Sequence, residues 1–313
     1  MDVRVFDSRQ LDIVFRTLRT ALSPSGDLSE EERAFLRTYA EICGTLPPRG
    51  APLPILASDV DIEGEHARKR LVQLSAIAAM LHRPVRPASA AFVKELSAKL
   101  GVKEPVVPVL DALAKGRRGL ARLLTARRGL LPLLREAREA EGMWGVARFV
   151  GSLVFGAPVN KDKHLRYKRL GLLPEGTLGR EYWKHLTELG YGFPGEPGGI
   201  ADSVAYHDVG HVLTDFDTTP MGEIQQGAFQ GGNRRQDGFF FVQFVMLQFH
   251  HGIQLTPVAK PEVGYFDPRR VLWAIHRGAE CNVDITHQWN FWPLMSLELE
   301  DARERCGLIP KMA

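Results

Sequence analysis

Four side chains of types that bind divalent metal ions lie within 17 consecutive residues of this sequence. They are His207, Asp208, His211 and Glu223, in the stretch AYHDVGHVLTDFDTTPMGE. Imidazole nitrogens and carboxylate oxygens are zinc ligands, and manganese and iron accept the same types. Two histidines four residues apart also occur as a hydrogen-bonded structural pair, which is the alternative here. The added aspartate and glutamate favour a divalent-metal site, with zinc as the first expectation.

An α-helix would place three of the four residues on one side of its axis. At about 100° per residue, His207, Asp208 and His211 lie at roughly 0°, 100° and 40° around the helix. The two imidazoles then lie one turn apart and can approach the same ion. A metalloprotease of the HExxH type would carry a glutamate between its histidines as general base. The shorter aspartate directly after His207 therefore argues against that class.

The fourth residue is expected on a second helix. The first helix should end near Thr214, and Pro220 should open the next one with Thr219 as its N-cap. Glu223 then lies in the first turn of that helix. A connection of this length can bring its carboxylate back over the two histidines.

The elements that must position these residues are all predicted to be helices. Nearly every segment has the apolar period of an amphipathic helix, and strand patterns are almost absent. Ser29 and Glu32 form a capping box before an apolar run that stops at Gly44, and Thr177 is the predicted N-cap of a helix that stops at Gly190. We expect an all-α fold of two helical domains, the C-terminal one a metal-binding bundle. The predicted segments are a bundle over residues 1–115, a linker over 116–144 and the metal-binding domain over 145–313.

The composition is that of an ordinary globular chain, with 44% apolar and 25% charged residues in a length of 313. A net charge of +3 is too small to indicate nucleic acid as a partner. The three cysteines form no CxxC pair, which argues against a disulfide framework or a cysteine zinc site. No apolar run has the roughly 18–20 residues of a membrane span, and the first residues lack the pattern of a signal peptide. These features lead us to expect a cytoplasmic protein, with peripheral contact to the inner face of the membrane as an additional possibility.

The predicted linker is basic and rich in leucine. Arginines alternate with leucines in KGRRGLARLLTARRGLLPLLREAR. A solvated helix face explains such a stretch, and attachment to an anionic membrane surface explains it as well. Nucleic acid is the weakest alternative, because no aromatic residues are interleaved for base stacking.

Two later helices supply candidate substrate-binding residues. The stretch DGFFFVQFVMLQFHHG is apolar nearly all round, so it is either central core or the wall of an isoprenoid tunnel. After Pro268, one long helix is expected to run past position 287, with polar residues at helical spacing that form a solvated face or line a cavity beside the metal. The candidate substrate-binding residues are Arg234, Phe240, Phe244, Arg277 and Glu280. Either arginine could hold the acid group of a ligand. Close helix approach is expected at Gly227, Gly231 and Gly232.

The metal motif and its flanks resemble one known family. HDVGHVLTDFDTTPMGE matches the HDxxH-x11-E motif of the coenzyme Q (ubiquinone) biosynthesis protein four family, and LPEGTLGREYWKHL resembles its LP.GTLG..Y segment. The end, WAIHRGAECNVDITHQWNFWPLMSLELEDARERCGLIP, is similar to its closing long helix, tryptophan-containing turn and R..LGI-like finish. The resemblance covers about residues 145–313. The N-terminal half resembles, more weakly, the tellurite-resistance-type helical domain, in DLSEEERAFLRTYAEICG and LSAIAAMLHRPVRPASAAFVKEL.

The resemblance implies an all-helical, zinc-holding domain with a role in ubiquinone synthesis. The implied activity is that of a carboxy-lyase, which removes the ring carboxylate of a polyprenylated 4-hydroxybenzoate-derived precursor with hydroxylation at that carbon. Asp208 and Glu223 would take part in catalysis, because four protein ligands close a zinc site unless one of the carboxylates moves aside. The alternative is a non-catalytic, metal-stabilised scaffold that binds isoprenoid lipid and the other quinone-synthesis enzymes. Both the enzyme and the scaffold could form an oligomer.

A third hypothesis is an HD-type phosphohydrolase, because YHDVGH also resembles the centre of that class. Such enzymes use an upstream histidine and a downstream aspartate, for which His185 and Asp284 would serve. The class gives no role to Glu223 and does not account for the two flanking matches. It therefore ranks below the quinone-synthesis enzyme and the scaffold.

Overall fold

The protein is all-α, as the sequence predicts. The computed structural model describes residues 1–48, 50–131, 159–197, 199, 202–256, 259–287 and 289–311, and the side chains at 202–204 are not described. Within these ranges there is no β-strand, only two isolated bridges that pair Thr177 with Glu298 and His251 with Val263. None of the described helices is both long and apolar enough to cross a membrane.

Thirteen α-helices are found in the described ranges. In chain order they are α1 (Leu11–Leu22), α2 (Glu30–Ile42), α3 (Glu65–Met80), α4 (Pro87–Lys99), α5 (Val106–Ala114), α6 (118–131), α7 (Lys161–Lys168), α8 (Leu178–Glu188), α9 (Asp202–Thr214), α10 (Pro220–Asn233), α11 (Phe239–Phe249), α12 (Pro268–Glu280) and α13 (Leu299–Arg305). Three short 3₁₀-helices add Ala57–Asp59, Arg169–Leu172 and Trp292–Leu294.

The contacts divide the chain into two compact units. The first unit contains residues 1–128 and 219–279, and the second contains 129–218 and 280–313. The sequence predicts a different division, into segments 1–115, 116–144 and 145–313. That division says which parts fold independently, which the contacts do not test, so it stays a prediction.

The predicted helix starts are confirmed where their caps can be seen. Ser29 accepts a hydrogen bond from the backbone N–H of Glu32, whose side chain in turn accepts one from the Ser29 backbone. Thr177 caps α8, and Thr219 caps α10 ahead of Pro220. Local hydrogen bonding of short polar side chains is sufficient to fix these starts, and for that reason they are readable from sequence.

The first unit is built around α3, whose residues 71–80 are all buried. It packs with α1, α4, α5 and α11. His250 and His251 follow α11, and their Nε2 atoms donate to the backbone carbonyls of Leu81 and Met80 at 3.0 and 2.9 Å. These bonds satisfy acceptors that the end of a helix leaves open. Burial lowers the pKa of His250 to about 3 and that of His251 to about 4, so both rings are neutral at pH 7.

The described part of the predicted linker contains helix α6, whose residues 118–128 belong to the first unit. The Arg128 side chain is 7% exposed and pairs with Glu104 at 3.0 Å and with Asp237. It also donates to the Gln243 side chain at 2.7 Å. Arg118 donates to two backbone carbonyls that follow α11. Two of the arginines in the basic stretch are therefore structural, and residues 132–144 of the predicted linker lie outside the described ranges.

The predicted close approach of helices at the glycines of α10 is confirmed. A Cβ atom on Gly232 would lie 1.9 Å from the backbone oxygen of Ile275 in α12. Cβ atoms on Gly227 and Gly231 would collide with the side chains of Val245 and Val242 in α11. These glycines let α10, the helix that carries Glu223, lie directly against its two neighbours.

The expectation of one long helix from residue 268 past 287 is wrong. Helix α12 ends at Glu280, and the next residues are held elsewhere. Cys281 Sγ and the Asn282 backbone N–H both donate to the Cys306 carbonyl at 3.0 Å, just after α13. Asp284 and His287 therefore do not extend the polar face of α12. This pairing across 25 residues cannot be seen in a local pattern.

The glycine contacts generate a stability prediction. Gly232→Ala forces a methyl group onto the Ile275 carbonyl oxygen, which is backbone and cannot rotate away. We expect a loss of about 3 kcal/mol in the free energy of unfolding, measured by urea denaturation. Gly119→Ala in α6 is the matched control, because nothing lies within 4 Å of its Cβ position. It should change stability by no more than about 1 kcal/mol, and an equal loss in both variants would contradict the close-packing explanation.

Candidate metal centre

Three of the four predicted metal ligands form a group that could hold a metal ion. His207, His211 and Glu223 each offer one ligand atom, and these atoms lie within 4.8 Å of one another. His211 is buried, whereas His207 and Glu223 are partly exposed. Two nitrogens and one carboxylate oxygen, with part of the group accessible, match the donor set of a catalytic zinc site with an open position.

The two imidazoles are arranged as metal ligands require. Their Nε2 atoms lie 3.0 Å apart. Two zinc–nitrogen bonds of about 2.0–2.1 Å at the tetrahedral angle would place the nitrogens roughly 3.3 Å apart, which needs a shift of only a few tenths of an ångström. The same separation permits a direct hydrogen bond between the rings, so distance alone does not distinguish the two states.

The tautomer of His211 is the one that a metal ligand requires. Its Nδ1–H donates to the Phe216 backbone carbonyl at 2.9 Å, and that bond leaves Nε2 as an unprotonated acceptor facing His207. Ligating histidines commonly hold their second ring nitrogen on a carbonyl or carboxylate in this way. The Phe216 carbonyl is therefore the orienting partner of the site, and the sequence motif alone does not reveal it.

The end of α9 explains why the Phe216 carbonyl is in reach. Asp215 follows the helix with φ 58°, a left-handed conformation that ends the helix and turns the chain back. Arg303 of α13 donates to the Leu213 carbonyl at 2.8 Å and the Val212 carbonyl at 3.1 Å. Lys311 donates to the Asp215 carbonyl. Cations at a helix C-terminus satisfy its open carbonyls and interact favourably with the dipole.

A cleft of about 540 Å³ opens beside His211. His185 of α8 lines it and stacks on the His211 ring, with ring centroids 5.9 Å apart and planes 21° from parallel. Lys184 and Arg303 lie at the same cleft. A small substrate could therefore reach the neighbourhood of one metal-binding imidazole from this side.

Asp208 is not a member of the group that the structure brings together. It is buried, 5% exposed. Helix α9 places it within the same arc of about 100° as the two histidines, but the ligand atoms that lie within 4.8 Å of one another belong to His207, His211 and Glu223. The assignment of Asp208 as a fourth ligand and as a catalytic residue stays a prediction.

The candidate substrate-binding residues lie in different surroundings. Phe240 and Phe244 are half-buried and in contact, with ring centroids 6.0 Å apart on α11. Arg234 ends α10, and its guanidinium lies 5.7 Å from the Phe241 ring centroid. Arg277 is buried, 5% exposed, and Glu280 is exposed at the end of α12. Their role in substrate binding stays a prediction.

A phosphohydrolase centre would need His185 and Asp284 as additional metal ligands. Neither His185 nor Asp284 belongs to a potential metal-binding group among the described residues. Asp284 Oδ1 instead accepts hydrogen bonds from the backbone and hydroxyl of Thr286.

The ligand group generates a prediction about metal content. Purified protein should carry about one equivalent of divalent metal, mostly zinc, measured by elemental analysis. The double variant His207→Ala, His211→Ala should lose it, because both nitrogen ligands are gone. His287→Ala is the control, since this histidine is exposed and outside the group. Full occupancy in the double variant would rule the assignment out.

Asp208→Asn separates a three-ligand site from a four-ligand site. If the ligands are His207, His211 and Glu223, the Asp208→Asn variant should retain its metal and the Glu223→Gln variant should lose metal. A loss in Asp208→Asn would place the aspartate among the ligands.

Comparison with known proteins finds no relative of this chain. No protein-family model, no curated protein and no solved structure matches this chain. The likeness to the coenzyme Q family therefore rests on the motif and flanks quoted above. The site itself rests on the geometry of His207, His211 and Glu223.

Proposed function

We propose that this chain is a metal-dependent carboxy-lyase of quinone synthesis, acting on a polyprenylated aromatic acid derived from 4-hydroxybenzoate. The observation that carries the proposal is the His207, His211 and Glu223 group, whose members and spacing match the HDxxH-x11-E motif. Zinc fits the donor set best, and manganese or iron fits it as well.

The residues of the chain have distinct tasks in this proposal. A bound divalent cation would supply a Lewis acid for the carboxylate or phenolate of the ring. His211 is kept in the ligating tautomer by the Phe216 carbonyl. The three-ligand set of His207, His211 and Glu223 would leave one coordination position open for an oxygen of the substrate. The cleft beside His211 has room for an aromatic head group.

The reaction requires an oxidant from outside the ligand set. Replacing a ring carboxylate by a hydroxyl releases carbon dioxide and removes two electrons from the substrate. Zinc has no redox chemistry, so dioxygen, a redox-active metal or a partner protein must accept these electrons. The metal ligands and the cleft account for binding and charge stabilisation.

A scaffold without turnover is the second candidate, and one feature of α11 favours it. Phe240, Phe241 and Phe244 are half-buried neighbours on the surface of that helix. Such a strip of aromatic rings can hold an isoprenoid tail or the surface of another quinone-synthesis enzyme. In this case the metal stabilises the fold, and no substrate is converted.

Quinone profiling separates the two candidates. Cells that lack the protein should accumulate a ring-carboxylated, polyprenylated intermediate, which is measured by mass spectrometry of lipid extracts. Wild type and the exposed-histidine variant His287→Ala should clear it, and Glu223→Gln should not. A fall in quinone without any carboxylated intermediate would favour the scaffold. Unchanged quinones and intermediates in the deletion strain would contradict both.

We also infer peripheral contact with an anionic membrane through α6. Leu120 and Leu123 are 40 and 64% exposed, and Arg122 and Arg127 are exposed beside them. No acidic residue occurs from position 112 to 135. Exposed leucines flanked by arginines are typical of helices that lie in a lipid interface. A polyprenylated substrate resides in the membrane, so such contact would bring the protein to it.

Vesicle sedimentation tests this surface. The protein should sediment with vesicles that contain phosphatidylserine more than with phosphatidylcholine alone, and less at high salt, because screening weakens the arginine contacts. Leu123→Glu should reduce sedimentation several-fold. Leu172→Glu is the matched control, since Leu172 is 84% exposed at the end of a 3₁₀-helix elsewhere. Equal loss in both variants would contradict a role for α6.

A further inference from the structure

A second cleft, of about 610 Å³, lies within the second unit and has no part in the metal group. Five aromatic side chains line it: Tyr167 of α7, Tyr206 of α9, and Trp289, Phe291 and Trp292 from the segment before α13. We call it the aromatic cleft. Its volume is within the range of about 300–1,000 Å³ that is usual for small-molecule sites.

The rings form a continuous wall. Trp292 contacts Tyr167 with centroids 4.9 Å apart, and Phe291 contacts Trp289 at 5.7 Å and Tyr206 at 5.8 Å. Tyr167 and Phe291 are buried, whereas Trp289 and Trp292 are half-buried. The buried members hold the two indoles in place, and the open indole surface is available to a planar ligand.

The aromatic cleft is also lined by a cation for which the described part of the chain supplies no polar partner. The Arg166 guanidinium lies over the Trp292 ring, 3.6 Å from its centroid. Among the described residues it makes no hydrogen bond and no ion pair, and it does not pair with Asp162 one turn earlier on α7. A guanidinium that is stacked on an indole keeps its N–H groups in the plane, where they can bind a carboxylate bidentately.

We propose that the aromatic cleft binds a planar aromatic carboxylate. The ring packs against the indole of Trp289, and the carboxylate accepts two hydrogen bonds from Arg166. Aromatic contacts of this kind strengthen binding about two- to tenfold beyond the effect of the area they bury. A carboxylate without a ring loses the stacking, and an uncharged ring loses the ion pair, so the aromatic cleft requires both features.

This binding does not depend on the proposed reaction or on the metal. Helix α9 nevertheless carries Tyr206 of the aromatic cleft immediately before His207 of the metal group. If the carboxy-lyase proposal also holds, the aromatic cleft accounts for recognition of an aromatic acid. If it fails, a binding site for aromatic acids remains.

The experiment uses the full chain and 4-fluorobenzoate as the probe, followed by ¹⁹F NMR of the ligand. Binding should saturate, and benzoate should displace the probe about two- to tenfold better than cyclohexanecarboxylate, which has the charge without the aromatic ring. Arg166→Gln and Trp289→Leu should each weaken binding about tenfold, equivalent to roughly 1.4 kcal/mol. Arg169→Gln is the control, because Arg169 is exposed and does not line the aromatic cleft.

Two further arms locate the site. Chelator-treated protein and the His207→Ala variant should bind the probe as wild type does. Loss of binding in either sample would place the probe site at the metal and overturn the proposal. Displacement by benzyltrimethylammonium that equals displacement by benzoate would show a cation site, and would also overturn it. Arg166 is exposed, so its variant is expected to fold, and a matching thermal unfolding curve verifies this.

Discussion

The hydrogen bond from His211 Nδ1 to the Phe216 carbonyl is the constraint on which the candidate metal centre depends. A neutral imidazole has one donor and one acceptor nitrogen, and this bond decides which is which. Without it, the lone pair of Nε2 would not be fixed toward His207. The bond in turn requires the left-handed turn at Asp215, and that turn is held by contacts from α13 and from Lys311. Contacts across 90 and 96 positions of the chain thus help to set the tautomer of one ring.

Local chemistry made a large part of the architecture predictable. Helix starts at Ser29, Thr177 and Thr219 depend on side chains within three residues of the cap, so the sequence contains the whole interaction. The same applies to the spacing of His207 and His211 on one helix face. The glycines of α10 were recognisable as points of close approach because only a missing Cβ permits backbone contact.

The errors and omissions have a common physical origin in contacts between distant residues. Helix α12 is shorter than the pattern predicts because the residues just after it, Cys281 and Asn282, donate hydrogen bonds to the Cys306 carbonyl. His250 and His251 were not identified as anchors because their acceptors lie about 170 residues earlier. Arg128 belongs to a stretch whose pattern predicts a basic surface or linker, although its side chain is only 7% exposed and pairs with Glu104. The aromatic cleft combines residues from three separate segments and has no local signature.

The neutral, buried pair His250 and His251 has a consequence for how the apo-protein can be prepared. An unfolded chain takes up protons on these rings below about pH 6.5, whereas the folded protein resists protonation until about pH 4 and pH 3. Because their pKa values are lowered on folding, the stability that they contribute is complete above about pH 6.5 and is lost as the pH falls toward those values. Metal ligands must be deprotonated to bind, so acid also releases a bound ion. Acid stripping would therefore destabilise the first unit while it removed the ion, and a chelator at neutral pH avoids that loss.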